Sequence, residues 1–301
     1  MKIAILGIDA AWTPHKPSGI ALIRQTEAEK WECVAVEDSY QDFLNRSGIG
    51  FNSKATGNVP VAELLEAVKI LSEAELKLVV ADIPLAKGLI VGRRRADNEI
   101  SRLFGRKGCS THTPSQTRPG PISEEIRDGF EKHGYTLATA SADRLPGRAL
   151  IETYPHPALL LLMNKNYRVP YKISKAGKYF PTLSSVDRRA AIAQKLQDVH
   201  TALSQSISRI DIAISEEPQS LRGLKSIEDR IDALVCAWVG IHVLQGNAQA
   251  IGDGEAAIWL PSKLFQPTDW SALLAPEARA SEEFMLGIEE LPLEHRAFES
   301  R

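Results

Sequence analysis

An apolar run that stops on a carboxylate constrains this chain most. Residues 2–8, KIAILGI, are almost continuously apolar, and Asp9 follows at once. Such a run suits a strand buried on both faces. The pattern recurs: LKLVVA leads into Asp82, with Pro84 closing the strand, and RALI leads into Glu152. A fourth acidic group lies in SIEDRIDALVCAWVG, where Asp229 and Asp232 are three apart and share a helix face, with Glu228 near it. Asp232 is followed by a stretch apolar enough to be buried. A carboxylate there is costly unless it is paired, hydrogen-bonded or metal-bound. Ordinary roles compete for the others: Asp9 as a turn cap, Asp82 as a loop or N-cap residue, Glu152 as a partner of Arg148, and Asp229 in a capping box with Ser226.

The remaining pattern supplies a frame for these acids. SGIALIRQ and WECVAVE read as two strands that form an antiparallel meander with the first. Residues 41–58, rich in Gly, Asn and Ser, read as a loop. After Pro60, Val61, Leu64, Leu65, Val68 and Leu71 fall on one helical face, and the strand ending at Asp82 follows. A helix between two strands implies a crossover and a parallel pair. RRRADNEISRLFG reads as a basic helix, and SEEIRDGFEKHGY as a helix capped by Ser123. A short helix opens at Pro157, longer ones cover about 187–209 and 226–244, and EAAIWLP is a last strand.

Composition removes several classes. The 301 residues are 44% hydrophobic and 25% charged, which excludes collagen-like, disordered and coiled-coil chains. A net charge of −2 excludes a globally basic nucleic-acid coat protein. Cys33, Cys109 and Cys236 are too scattered for a disulfide framework or a zinc site. No apolar run approaches the roughly 18 residues of a membrane span, and the first run is too short for a signal peptide, so a cytoplasmic protein is expected. There is no Walker A pattern, and GIDAAW is not a dinucleotide fingerprint.

Parallel neighbouring strands would bring Asp9 and Asp82 side by side, and an apolar helix packed there would add Asp229 and Asp232. Clustered carboxylates repel one another, and oxygen-only ligands suit Mg²⁺ or Mn²⁺ rather than zinc. Two such ions about 4 Å apart activate water and stabilise a leaving oxygen in phosphodiester hydrolysis.

The order GIDAAW…SGIALI, VVADIP, IETYPHPA and EDRIDALVCAW resembles the DUF429 family of predicted RNase H-like nucleases; RRRADNEISRLFG and EAAIWLP also look like its segments. The Asp-bearing first strand and the late AspAla helix are similar to RuvC-type resolvases as well. The resemblance covers roughly residues 1–262. It implies an α/β, RNase H-like mixed sheet, three antiparallel strands followed by parallel ones, with helices on both faces. It implies metal ligands at Asp9, Asp82 and Asp232, with Asp229 as a further one, and it matches Glu152 to the family's acidic strand. Insertions are expected at about 83–147 and 164–186, and residues 263–301 form a tail outside the resemblance.

Basic residues offer candidate substrate contacts. Residues 93–118 hold seven basic against two acidic side chains, a net +5, among them Arg93, Arg94, Arg95, Arg106, Lys107 and Arg118. Beside a metal site they would neutralise phosphates of a nucleic acid, with His112 in the same cleft; a solvated helix with ion pairs is the competing reading. His156 is a candidate for leaving-group protonation or for stabilising its turn. Tyr167, Tyr171 and Tyr179, interleaved with Lys172, Lys175 and Lys178, would stack bases or pack a loop. The expectation is a metal-dependent nuclease. The alternatives are a nucleotide-binding phosphotransferase or hydrolase of the actin-like superfamily, and a non-catalytic regulatory protein that keeps the fold. Oligomeric state is left open.

Overall fold

A computed structural model describes residues 2–13, 16–50, 59–141, 145–215 and 220–265. The chain divides into a unit at residues 1–261 and a second at 262–301; the tail lies outside the described residues from 266 onward. The first unit opens with β1 (Ile3–Asp9), β2 (Gly19–Gln25) and β3 (Trp31–Glu37), then α1 (Tyr40–Arg46), α2 (Val61–Ser72) and β4 (Glu75–Ala81). Next come α3 (Arg95–Phe104), α4 (Pro121–Lys132), β5 (Thr136–Leu137), β6 (Ala149–Thr153) and α5 (Pro155–Leu162). It closes with α6 (Ala176–Tyr179), α7 (Ser185–Leu203), β7 (Ile207–Ser208), α8 (Leu221–Leu244), β8 (Ala248–Gly252) and β9 (Ala257–Pro261).

Nine strands form one sheet in the order β7-β3-β2-β1-β4-β6-β9-β8, with β5 also pairing β6. β1, β2 and β3 are the antiparallel meander, and β4, β6 and β9 continue in parallel from β1. This mixed α/β sheet is consistent with an RNase H-like fold. Three strands are additions to the expected set: β5, parallel to β6; β7, parallel to β3 and lying where the helix over 187–209 was expected to continue; and β8, antiparallel to β9.

The sheet's two faces are covered differently. Strand side chains alternate between faces. Ala4, Leu6 and Ile8 of β1 and Val79 and Ala81 of β4 join a core with Phe43 and Leu44 of α1, Leu64 and Val68 of α2, and Ile126 and Phe130 of α4. The opposite face receives α8. A Cβ on Gly7 would lie 2.7 Å from Ala237 N and would collide with Ala233 O, and a Cβ on Gly19 would meet the backbone of Asp229. The missing side chains therefore let α8 lie directly on β1 and β2. Helices α5 and α7 pack on α8 from its other side, which explains why its middle, Ile231 to Gly240, is buried all round.

Several local readings change. Part of the segment read as a loop is α1, capped by Ser39, whose hydroxyl accepts the Asp42 N–H at 3.1 Å; residues 51–58 of that segment lie outside the described residues. Helix α4 starts at Pro121, so Ser123 is not its cap but a buried first-turn residue. Helix α5 starts at Pro155, two residues before Pro157. Helix α8 is capped by Ser220, which accepts from Gly223 N at 3.0 Å. Ser226 and Asp229 are therefore interior positions, and the capping-box explanation of Asp229 fails.

Candidate functional site

Period-two alternation decides which acids meet. Asp9 follows Ile5 and Gly7 on the face that receives α8. Asp82 follows Val80, whose side chain a Cβ on Gly240 of α8 would meet at 2.9 Å. The Asp82 N–H donates to Ile8 O at 2.8 Å, which sets the two strand ends side by side. Helix α8, seated through the gap at Gly19, adds Glu228, Asp229 and Asp232 to the same place.

The α8 acids are held by two lysines. Asp232 is fully buried; Tyr171 donates its hydroxyl to Oδ1 at 2.6 Å, and the Lys172 ammonium contacts Oδ2. Glu228 accepts from Ile173 N at 2.7 Å, from Lys225 Nζ at 2.9 Å, and lies 3.2 Å from Lys172 Nζ. Asp229 pairs with Lys225. Asp9 and Asp82 differ: among the described residues neither carboxylate has a hydrogen bond or salt bridge, and both line an open cleft.

This imbalance shows in their titration. Burial, followed by the Asp232 charge, holds Asp9 well above the usual carboxylate range. Burial pushes Asp82 up to about 7, with Asp232 and Glu152 adding to it and Lys172 opposing. Glu228 goes the other way: burial opposes ionisation, but Lys172, Lys225 and the Ile173 N–H outweigh it. For Lys172, burial disfavours the charge, yet Asp232, Glu228 and Asp9 hold its pKa well above the ordinary value. Lys172 is thus the resident countercharge of the acidic group. In this placement no three His, Cys, Asp or Glu side chains among the described residues are grouped to hold a metal ion. The donor set is nevertheless all oxygen, and two of its carboxylates lack a direct partner, which fits a hard divalent cation.

Glu152 stands apart. It pairs in register with Ala81, whose side chain faces the α1–α2–α4 core, so it is turned to the sheet face opposite Asp9 and Asp82. There Arg94 clamps it at 2.5 and 2.7 Å, Leu85 N donates to it at 2.7 Å, and Arg94 also holds Asp97 at 2.8 Å. The partner is Arg94 rather than Arg148.

Most of the basic stretch is engaged elsewhere too. Arg94 is consumed by that network. Arg93 donates to Asn98 Oδ1 at 2.7 Å, Asp97 O at 2.9 Å and Thr111 O at 3.3 Å, fastening the loop after α3 to the helix. Arg95 pairs with Glu99 at 2.8 Å on the surface. Arg106 and Lys107 lie in a single helical turn, Gly105–Lys107, and Arg118 is exposed; none of these lines the cleft. Of the proposed substrate contacts only His112 does, with its ring edge-on to Trp12 at 6.4 Å.

The cleft measures about 1170 Å³. Asp9, Asp38, Asp42, Asp82, Glu228 and Asp229 lie along it, and its cations are Lys16, Arg168, Lys172, Lys175, Arg222 and Lys225, none of them in 93–118. Lys172 and Lys175 belong to the tyrosine–lysine segment, but Tyr171 is fully buried against Asp232 and is not a stacking platform. The segment's Lys spacing was the available signal for this wall. Arg168, Arg222 and Lys225 carried none, because they reach the cleft from an irregular segment and from the first turns of α8.

Fold and site together define an α/β protein with an acidic cluster at the ends of adjacent parallel strands. The model of the family described as "Protein of unknown function (DUF429)" matches residues 7–257, and the chain belongs to that family. No curated protein and no solved structure matches it. No helix among the described residues is long and apolar enough to cross a membrane.

Proposed function

We propose that this protein is a metal-dependent phosphodiesterase acting on nucleic acid, with Mg²⁺ or Mn²⁺ as its cofactor. One observation carries the reading: Asp9, Asp82 and Asp229 from three separate segments line one cleft, and the charge of buried Asp232 acts on Asp9 and Asp82. Asp9, Asp82 and Asp232 would hold the ion, with Asp229 as a further ligand. The bound ion would supply countercharge to a phosphate and lower the pKa of an attacking water. The chain's residues do the rest. Tyr171 fixes the orientation of Asp232, Lys225 holds Asp229, and the exposed Lys16, Lys175 and Arg222 along the cleft attract a polyanionic strand. Trp12 and His112 present aromatic rings at the cleft, where unstacked bases can rest.

Mn²⁺-dependent cleavage of single- and double-stranded DNA and RNA by the purified chain tests this. Cleavage should vanish in folded Asp9→Asn and Asp232→Asn protein. Cleavage that persists in both removes the proposal.

A further inference from the structure

The cleft has a second chemical feature, beside the acidic floor. His156, at the start of α5, is only 7% exposed, and its Nε2 lies 2.5 Å from Arg168 Nη2. A guanidinium can only donate, so Nε2 must accept and the imidazole proton sits on Nδ1. Among the described residues that Nδ1–H has no partner, and neither does the buried Nε–H of Arg168. Both residues line the cleft. Two N–H donors are thus left without acceptors inside one hydrogen-bonded pair.

The surroundings select what would complete them. Arg168 is anchored through Nη1 to Gly108 O at 3.2 Å and through its own N–H to Lys107 O at 2.9 Å. Tyr154 and Tyr171 pack their rings edge-on to His156 at 5.3 and 5.8 Å, and the Tyr154 hydroxyl is spent on Ser110 O. Cations act on both imidazoles: Lys172 and Arg168 at His156, and Lys175, Arg168 and Arg118 at His112, while Asp82 lies near Tyr154 on the acidic side. Burial together with these cations holds both rings below their ordinary pKa, so they are neutral donors. Two N–H donors beside the Arg168 guanidinium and the exposed Lys175 suit an anion with several acceptor oxygens.

We propose that His156 and Arg168, with Lys175 and His112 beside them, form a phosphate-binding subsite separate from the acidic floor, which takes a phosphate group of the bound strand. That the phosphate belongs to a nucleic acid rests on the function proposed above; the subsite's chemistry does not. It takes a phosphate with no metal present, and it positions the strand across the carboxylates.

The test is NMR of the histidine ring nitrogens in the full-length protein with EDTA, titrated with inorganic phosphate, thymidine 5′-monophosphate or thymidine. Both phosphates should saturably shift His156, and thymidine should not. Tighter binding of the monophosphate than of inorganic phosphate assigns the site to a nucleotide; equal affinity assigns it to phosphate alone and still supports it. Arg168→Met should weaken binding about tenfold and the exposed Lys175→Met about threefold, while Lys178→Met outside the cleft leaves it unchanged. No shift at His156, or equal affinity in wild type and Lys175→Met together with folded Arg168→Met, overturns the subsite. Phosphate binding without Mn²⁺-dependent cleavage keeps the subsite and removes the nuclease reading; cleavage without phosphate binding does the reverse.

Discussion

Two acidic groups stand at the same end of the sheet, on opposite faces. On one face Glu152 and Asp97 are closed around Arg94, with every short contact inside the protein. On the other, Asp9 and Asp82 lie open to a cleft beside Asp232, Glu228 and Asp229, with Lys172 as shared countercharge. Sequence presents Asp9, Asp82 and Glu152 as equivalent, each an acid after an apolar run. The fold separates them: Glu152 is closed by Arg94 on one face, whereas Asp9 and Asp82 face the cleft on the other without a direct partner among the described residues.

The sharpest way to break this contrast is substitution on the open face. Asp9→Asn and Asp232→Asn should each lower Mn²⁺-dependent cleavage by about a hundred- to a thousandfold, measured as kcat/KM on protein whose circular dichroism is unchanged. Equal losses from substitution on the closed face would erase the distinction.

The closed face should fail differently. Glu152→Ala leaves Arg94 buried without its main partner, and breaking a buried pair costs about 3–5 kcal/mol of stability. Urea denaturation should show that loss, while cleavage per folded molecule stays near wild type.

Lys172 tests the countercharge. Lys172→Met leaves the acids of the open face without their central cation, so Tm without metal should fall by several degrees, about 1–2 kcal/mol. Added Mn²⁺ should raise Tm more in this variant than in wild type. An identical Mn²⁺ response in both would show that Lys172 and the ion do not share these carboxylates.

The open face also carries a pH dependence. Asp82 is pushed up to about 7 in the folded protein, from an ordinary 3.8. The folded state therefore holds a proton that the unfolded state has released across that interval, and stability falls as pH rises from about 4 to 7. Thermal melts between pH 4 and 8 in EDTA should show this slope, and Asp82→Asn should flatten it. A slope unchanged in the variant places the titration elsewhere.

Much of this contrast was legible in the sequence. Asp9, Asp82 and Asp232 stand out because apolar runs fix their elements, and burial makes a carboxylate there need a reason. The facing of Glu152 was not legible, because it depends on pairing Glu152 with Ala81, and a one-residue change of register reverses it. Lys172 and Arg168 sit in an irregular segment with no period to read. The basic stretch misled because charge counts do not reveal direction: Arg94 points inward and Arg93 ties down a loop. Helix α1 was missed because its neighbourhood is rich in Gly, Asn and Ser, although Ser39 followed three residues later by Asp42 resembles a helix start.

Calorimetric titration of Mn²⁺ into the full-length protein tests the central claim most directly. Saturable binding is predicted in wild type, lost in Asp9→Asn and Asp232→Asn, and kept in folded Glu152→Gln. Absent binding in wild type, or binding unaffected by either open-face substitution, would contradict the assignment of these carboxylates to a metal.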